Sequence, residues 1–80
     1  MIVIFKRDRN SPDIDLEIPE NISAKELIYS LNKSFDLGID MTKPADCYLR
    51  ADAPKALIRG EKTLEELGIR NGTIIYFDER

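Results

Sequence analysis

The side chains that usually carry enzyme chemistry are scarce in this 80-residue chain. It has no histidine, so both the commonest general base and any Ser-His or Cys-His pair are missing. Cys47 is the one cysteine, which excludes an internal disulfide and a structural zinc site. A lone free cysteine is typical of a small apolar core residue. We therefore expect no catalytic residue, no cofactor and no metal site.

Two charged segments resemble fragments of ligand sites, but each has a simpler interpretation. The Gly60–Thr63 segment, GEKT, lacks the glycines that a phosphate-binding loop requires. Asp13, Asp15 and Glu17 lie at alternate positions, without the glycine-broken loop of a calcium site. Their spacing predicts a solvent-facing strand surface instead.

Length and charge limit the remaining function classes. The chain has 12 Lys and Arg residues and 15 Asp and Glu residues, a formal net charge of −3, so its charge favours neither nucleic acid nor an anionic membrane as a partner. The apolar run Ile2–Phe5 is far too short for a signal peptide or a membrane-spanning helix. We expect one domain, residues 1–80, in the cytoplasm.

The first half of the chain predicts a hairpin followed by a helix. Ile2–Lys6 is apolar on both faces, so alternation leaves open which face is buried. Asp13–Ile18 alternates with period two and predicts the second strand. Ser23 and Glu26 form a capping box, after which an apolar stripe at helical spacing predicts a helix that Gly38 ends, with Asn32 on the polar side. That stripe consists of Ala24, Leu27, Ile28, Leu31 and Phe35.

The second half predicts two short strands, one helical turn and a last strand. Cys47–Ala51 alternates, and Ala56–Ile58 is a brief apolar strand. Thr63 and Glu66 form a second capping box, which predicts a single turn that Gly68 ends. Turn residues and a run of branched and aromatic residues then predict the last strand. One apolar helix stripe needs one sheet face, so the order predicts an α+β fold, a mixed four- to five-stranded sheet packed on one helix.

This order resembles the ubiquitin-like β-grasp fold, and the segment Thr63–Phe77 is similar to the ending of that fold. The resemblance implies that Ile75 and Phe77 point into the core, while Ile74 and Tyr76 point outward. Within the superfamily, the chain resembles the YukD family of small proteins of type VII (WXG-type) secretion systems in Gram-positive bacteria. The resemblance lies in total length and in three segments: Ile14–Ile18, Ile22–Ile28 and Leu67–Gly72.

The YukD resemblance implies a non-catalytic interaction module, an accessory or regulatory component of the secretion system on its cytoplasmic side. Its expected partner is a protein, such as a membrane-associated secretion ATPase. The alternative is a ubiquitin-like modifier or sulfur carrier that is activated at its C-terminus. Such proteins end in Gly-Gly, whereas this sequence ends in Phe77-Asp78-Glu79-Arg80, which argues against the alternative.

Four residues are candidates for partner binding: Tyr48, Arg50, Ile74 and Tyr76. Alternation puts Tyr48 and Arg50 on one face of their strand, and the resemblance implies that Ile74 and Tyr76 point away from the helix. The four residues lie side by side if the third and last strands pair, as in the ubiquitin-like fold. Tyrosine and arginine are enriched at protein interfaces, although tyrosine and isoleucine also favour strands for other reasons. On this interpretation, Tyr76→Ala or Arg50→Glu should leave the fold intact and weaken partner binding.

Overall fold

Within residues 1–78, five strands and one α-helix follow one another in the order that the sequence predicts. The computed structural model describes residues 1–78. Glu79 and Arg80, which belong to the chain end considered in the sequence analysis, lie outside the described residues. The elements are β1 (Ile2–Lys6), β2 (Ile14–Glu17), α1 (Ala24–Phe35), β3 (Leu49–Asp52), β4 (Ala56–Ile58) and β5 (Ile74–Tyr76). A short 3-10 helix, Pro44–Asp46, lies in the segment predicted as a loop before β3.

The strands form a single mixed sheet in the order β2-β1-β5-β3-β4. β1 and β5 run parallel, whereas β1–β2, β3–β5 and β3–β4 are antiparallel. The third and last strands do pair, which meets the condition for the candidate residues to lie side by side. The α+β ubiquitin-like β-grasp fold is confirmed, since one helix accompanies this five-stranded sheet within residues 1–78.

The helix begins at the predicted cap. The Glu26 amide donates to Ser23 Oγ at 3.1 Å, and the Ser23 amide donates to Glu26 Oε1 at 3.1 Å, which completes the capping box. The buried stripe comprises Ala24, Leu27, Ile28 and Leu31.

The helix ends earlier than predicted, at Phe35 instead of Gly38. Asp36 adopts the left-handed conformation at φ 52° and ψ 55°, which aspartate tolerates better than most residues. Arg7 donates to the carbonyl oxygens of Phe35 at 2.7 Å and Asp36 at 3.1 Å. Carbonyls at a helix end need partners, so these contacts stabilise the earlier end.

Asn32 also departs from its predicted place on the polar side of the helix. Its side-chain amide donates to the Ile39 carbonyl and accepts from the Ile39 amide, both at 2.9 Å. These bonds hold the segment after the helix against the core, where Leu37 and Ile39 are buried.

The Thr63–Phe77 segment forms the turn and strand that the sequence predicts. The Glu66 amide donates to Thr63 Oγ1 at 3.1 Å and the Thr63 amide to Glu66 Oε1 at 2.9 Å, so this capping box is also complete. Gly68 ends the turn at φ 82°. The buried Leu64 donates its amide to the Ile22 carbonyl at 3.0 Å, which ties the turn to the start of the helix.

The core lies between the helix and one face of the sheet. Val3 and Phe5 of β1 are buried in it, so the face of β1 that the sequence left open is the one that carries these two residues. Ile75 and Phe77 are also buried in the core, as predicted. Cys47 precedes β3 and is half-buried against the core cluster, so it packs at the margin of the core.

Truncating the helix stripe should destabilise the fold. Leu31 is 5% exposed, and Leu31→Ala should lower the free energy of unfolding by about 2–5 kcal/mol through lost burial and a residual cavity. Leu57 is 46% exposed, so the matched Leu57→Ala should cost less than about 1 kcal/mol. Urea unfolding of both variants measures the difference, and equal losses would contradict this assignment of the core.

The second capping box should contribute an acid-sensitive part of the stability. Hydrogen bonds from the Thr63 backbone, and next from its side chain, lower the pKa of Glu66 below its ordinary 4.5. A lowered folded-state pKa means that this stabilisation is present above about pH 4.5 and is lost as the pH falls through the folded-state value. Glu66→Gln should therefore lower the urea midpoint at neutral pH. In acid, the difference between the urea midpoints of this variant and wild type should become smaller. The exposed neighbour Glu65→Gln is the control, and an identical acid response of the two variants would refute the assignment.

Candidate functional site

The sheet face opposite the helix, called the outer face below, carries the candidate residues. Register places Lys6, Tyr76, Arg50 and Leu57 in one row across β1, β5, β3 and β4. A second row contains Asp15, Ile4, Ile74 and Asp52. Side chains alternate along each strand, and the intervening residues Phe5, Ile75 and Ala51 are buried in the core. Both rows therefore lie on the outer face.

The structure places the four predicted residues together on this face. Arg50 pairs directly with Tyr76, and Ile74 pairs with Asp52. The guanidinium carbon of Arg50 lies 5.8 Å from the centroid of the Tyr48 ring, within the range of a cation–π contact. Arg50 is exposed, whereas Tyr48 and Ile74 are half-buried.

Tyr76 points outward as predicted but is covered, with only 4% of its surface exposed. The guanidinium carbon of Arg9, from the β1–β2 loop, lies 4.6 Å from the Tyr76 ring centroid. Arg9 Nη2 donates to Tyr76 Oη at 2.9 Å, and Oη donates to Asp52 Oδ2 at 2.7 Å. The structure therefore reverses the expectation that Tyr76→Ala leaves the fold intact. Truncation would remove a buried ring even though the strand parity is correct.

The Arg9–Tyr76–Asp52 network also sets the protonation of the phenol. Burial raises the pKa of Tyr76 above its ordinary value of 10.0, and the hydrogen bond to Asp52 acts in the same direction. The positive charge of Arg9 opposes the rise. Because the pKa of Tyr76 is raised in the folded state, the protonated phenol stabilises the fold at pH values below its ordinary pKa. This contribution to the free energy of unfolding is lost as the pH rises through the folded-state pKa. At neutral pH the phenol keeps the proton that it donates to Asp52.

The geometry suits recognition by contact. Arg50 offers a guanidinium, Tyr48 a half-buried ring, and Ile2 and Leu57 exposed apolar surface on the same face. Within residues 1–78, no group of histidine, cysteine, aspartate and glutamate side chains is placed to hold a metal ion. In the same range, no helix has the length and apolar character that crossing a membrane requires.

The match to known families covers the whole of this architecture. Residues 2–77 match the family described as "WXG100 protein secretion system (Wss), protein YukD", a span that includes every strand and the helix. The chain belongs to the YukD family. The predicted resemblance is thereby confirmed, together with an association with the type VII (WXG100) secretion system. No curated protein matches the chain.

In this YukD-family chain, the sequence did not point to four residues at or beside the outer face: Asp52 and Leu57 in the strands, Arg9 in the β1–β2 loop and Lys55 in the β3–β4 turn. Arg9 lies 67 positions from Tyr76 in a polar loop, and no local pattern signals their contact. Asp52 could have been found, because it continues the alternation of Tyr48 and Arg50. Leu57 is the middle residue of a three-residue strand, too short for alternation to show its direction.

The Tyr76 hydroxyl should contribute measurably to stability. Tyr76→Phe keeps the buried ring but removes a hydrogen bond to each of Arg9 and Asp52, so the free energy of unfolding should fall by about 1 kcal/mol. Tyr29→Phe is the matched control, because Tyr29 is 56% exposed on the helix and should show almost no change. Urea unfolding measures both, and a Tyr76→Phe variant as stable as Tyr29→Phe would contradict the network.

Proposed function

We propose that this protein is a non-catalytic ubiquitin-like interaction module that docks onto another protein component of the WXG100 secretion system. The outer face of the sheet is the docking surface, on which Tyr48, Arg50 and Ile74 contact the partner. The covered Tyr76 packs beside them and holds the surface in shape. The partner is a membrane-associated component such as the secretion ATPase, which recruits the protein from the cytoplasm. The role is accessory or regulatory.

The observation that carries this proposal is the uncovered apolar surface of the outer face. Ile2 is 52% exposed and Leu57 is 46% exposed, on opposite sides of the half-buried Ile74. The exposed Arg50 pairs in register with Leu57, and the Tyr48 ring lies 5.8 Å from the Arg50 guanidinium carbon. Arginine and tyrosine are enriched among the residues that dominate interface energetics. Membership of the YukD family supports a secretion component as the partner.

The direct test is capture of partners from the natural host. Tagged protein is incubated with detergent-solubilised membranes, and the retained proteins are identified by mass. A retained secretion component that is lost on competition with untagged protein supports docking. Heavier covalent species of the tagged chain would instead support the modifier alternative and overturn the proposal.

A second test asks whether the system needs the protein. Deletion of its gene should reduce secretion of WXG-type substrates, and expression of the wild-type chain in trans should restore it. Unchanged secretion after deletion would refute an accessory role.

Charge reversal at Arg50 should separate binding from folding. Arg50 is exposed, so Arg50→Glu should leave the urea midpoint close to that of wild type. It should weaken partner retention about tenfold or more, as loss of an interface arginine often does. Lys43→Glu, an equal charge change at an exposed position before the 3-10 helix, should retain the partner normally. Equal retention by both variants would place the interface elsewhere.

A further inference from the structure

An open depression of about 260 Å³ lies on the outer face, between the β3–β4 hairpin and the β1–β2 loop. Three cationic side chains line it, from Arg9, Arg50 and Lys55. Its remaining side chains include the ring of Tyr76 and the exposed apolar chain of Leu57. These residues come from three separate parts of the chain, so the fold alone assembles the depression.

The depression concentrates positive charge in a chain whose net charge is −3. No aspartate or glutamate of residues 1–78 is among its lining residues. Arg9 is partly neutralised, since its Nε lies 3.5 Å from Asp78 Oδ2. Over the same described range, no carboxylate lies within ion-pair distance of Arg50 or Lys55. Asp52 lies on the same face and accepts a hydrogen bond from Tyr76 Oη at 2.7 Å, but within residues 1–78 it forms no ion pair with Arg50 or Lys55. A bound anion would therefore stabilise these two cations.

The lining indicates which kind of anion fits. The planar guanidinium of Arg50 can hold a carboxylate through two parallel hydrogen bonds, and Lys55 adds a point charge. Leu57 supplies apolar surface next to these cations, which a free inorganic anion would leave exposed to water. An acidic side chain followed by an apolar one would use both features.

We propose that this depression binds the carboxylate side chain of an acidic segment of a protein partner, with a neighbouring apolar side chain of that segment packed on Leu57. The inference rests on the proposed function, because it names the chemistry by which the outer face selects its partner. Arg9 has two roles here, since it covers Tyr76 and borders the carboxylate position.

The test uses a defined peptide and the intact chain. Acetyl-Glu-Leu-Glu-Leu-Glu-amide is titrated into ¹⁵N-labelled protein, followed by amide chemical shifts, with the glutamine counterpart acetyl-Gln-Leu-Gln-Leu-Gln-amide and sodium sulfate as comparisons. The glutamate peptide should shift the amides of residues 50–51, 55–57 and 76. The glutamine peptide and sulfate should each bind at least about fivefold more weakly, since each lacks one of the two features.

Variants locate the binding. The double variant Arg50→Glu/Lys55→Glu should weaken glutamate-peptide binding about tenfold or more, because it replaces two attractive charges with repulsive ones. The control Lys43→Glu/Lys62→Glu makes the same charge change at exposed positions outside the depression and should bind within about twofold of wild type. Equal weakening in both, or shifts spread over all basic residues, would overturn the proposal as nonspecific charge attraction.

Two further outcomes separate this inference from alternatives. Concentration-dependent dimerisation in sedimentation experiments, abolished by Arg50→Glu/Lys55→Glu, would show that a second copy of the chain occupies the depression and would overturn the peptide assignment. If membrane capture retains a secretion component equally on wild type and on this double variant, the depression is not the contact and the assignment of Arg50 to the docking surface fails with it, while docking onto a secretion component stands. If wild type retains no secretion component, the proposed function fails whatever the peptide does.

Discussion

The packing of one helix on one face of the sheet is the interaction on which the rest of this structure depends. A chain of this size buries only about 60–65% of its unfolded surface, and the stripe Ala24–Leu31 with the facing strand residues forms most of the core. Residues outside these elements complete it: Leu37, Ile39, Leu64, Ile69 and Phe77. A single helix covers a single face. The outer face is therefore left with side chains that must be covered from elsewhere or stay exposed. Arg9 covers Tyr76, and Ile2 and Leu57 stay exposed.

Features encoded within a few positions of the sequence were predictable. Both capping boxes join residues three positions apart, and the alternation of Cys47–Ala51 gives the directions of Tyr48 and Arg50. The directions of Ile75 and Tyr76 came from the β-grasp resemblance. The hairpin of β1 and β2 and the mixed sheet were predicted, whereas the parallel pairing of β1 with β5 at the sheet centre is a finding of the structure. Local sequence patterns and the β-grasp resemblance thus predicted the order of the elements and the sheet face on which the candidate residues lie.

Features that join distant parts of the chain were not predictable in the same way. The β-grasp resemblance implied the outward direction of Tyr76, but whether its ring is covered depends on Arg9, which lies 67 positions away in a loop. The helix end at Asp36 depends on Arg7, 29 positions away. Asn32 meets Ile39 only because the chain turns back after the helix. In each case a long or bifunctional polar side chain finds a backbone or ring partner that tertiary folding brings within reach.

Charge on the outer face bears on how recognition would proceed. Asp15 and Glu17 lie at its β2 edge, whereas Arg50 and Lys55 lie toward β4, with Ile4 and Ile74 between them. The other charged residues of the two rows have partners within the chain, since Lys6 pairs with Asp13 and Asp52 accepts from Tyr76. The net charge of −3 would repel an acidic partner weakly at long range, but at physiological salt such forces fade over about 8 Å. The cations would therefore act after contact, when they lie close to a carboxylate and the acidic edge excludes the reversed orientation. Such a charge arrangement would fix the orientation of the bound partner more than it would raise the association rate. Only one alignment pairs the cationic side of the surface with acidic side chains and its apolar centre with apolar side chains.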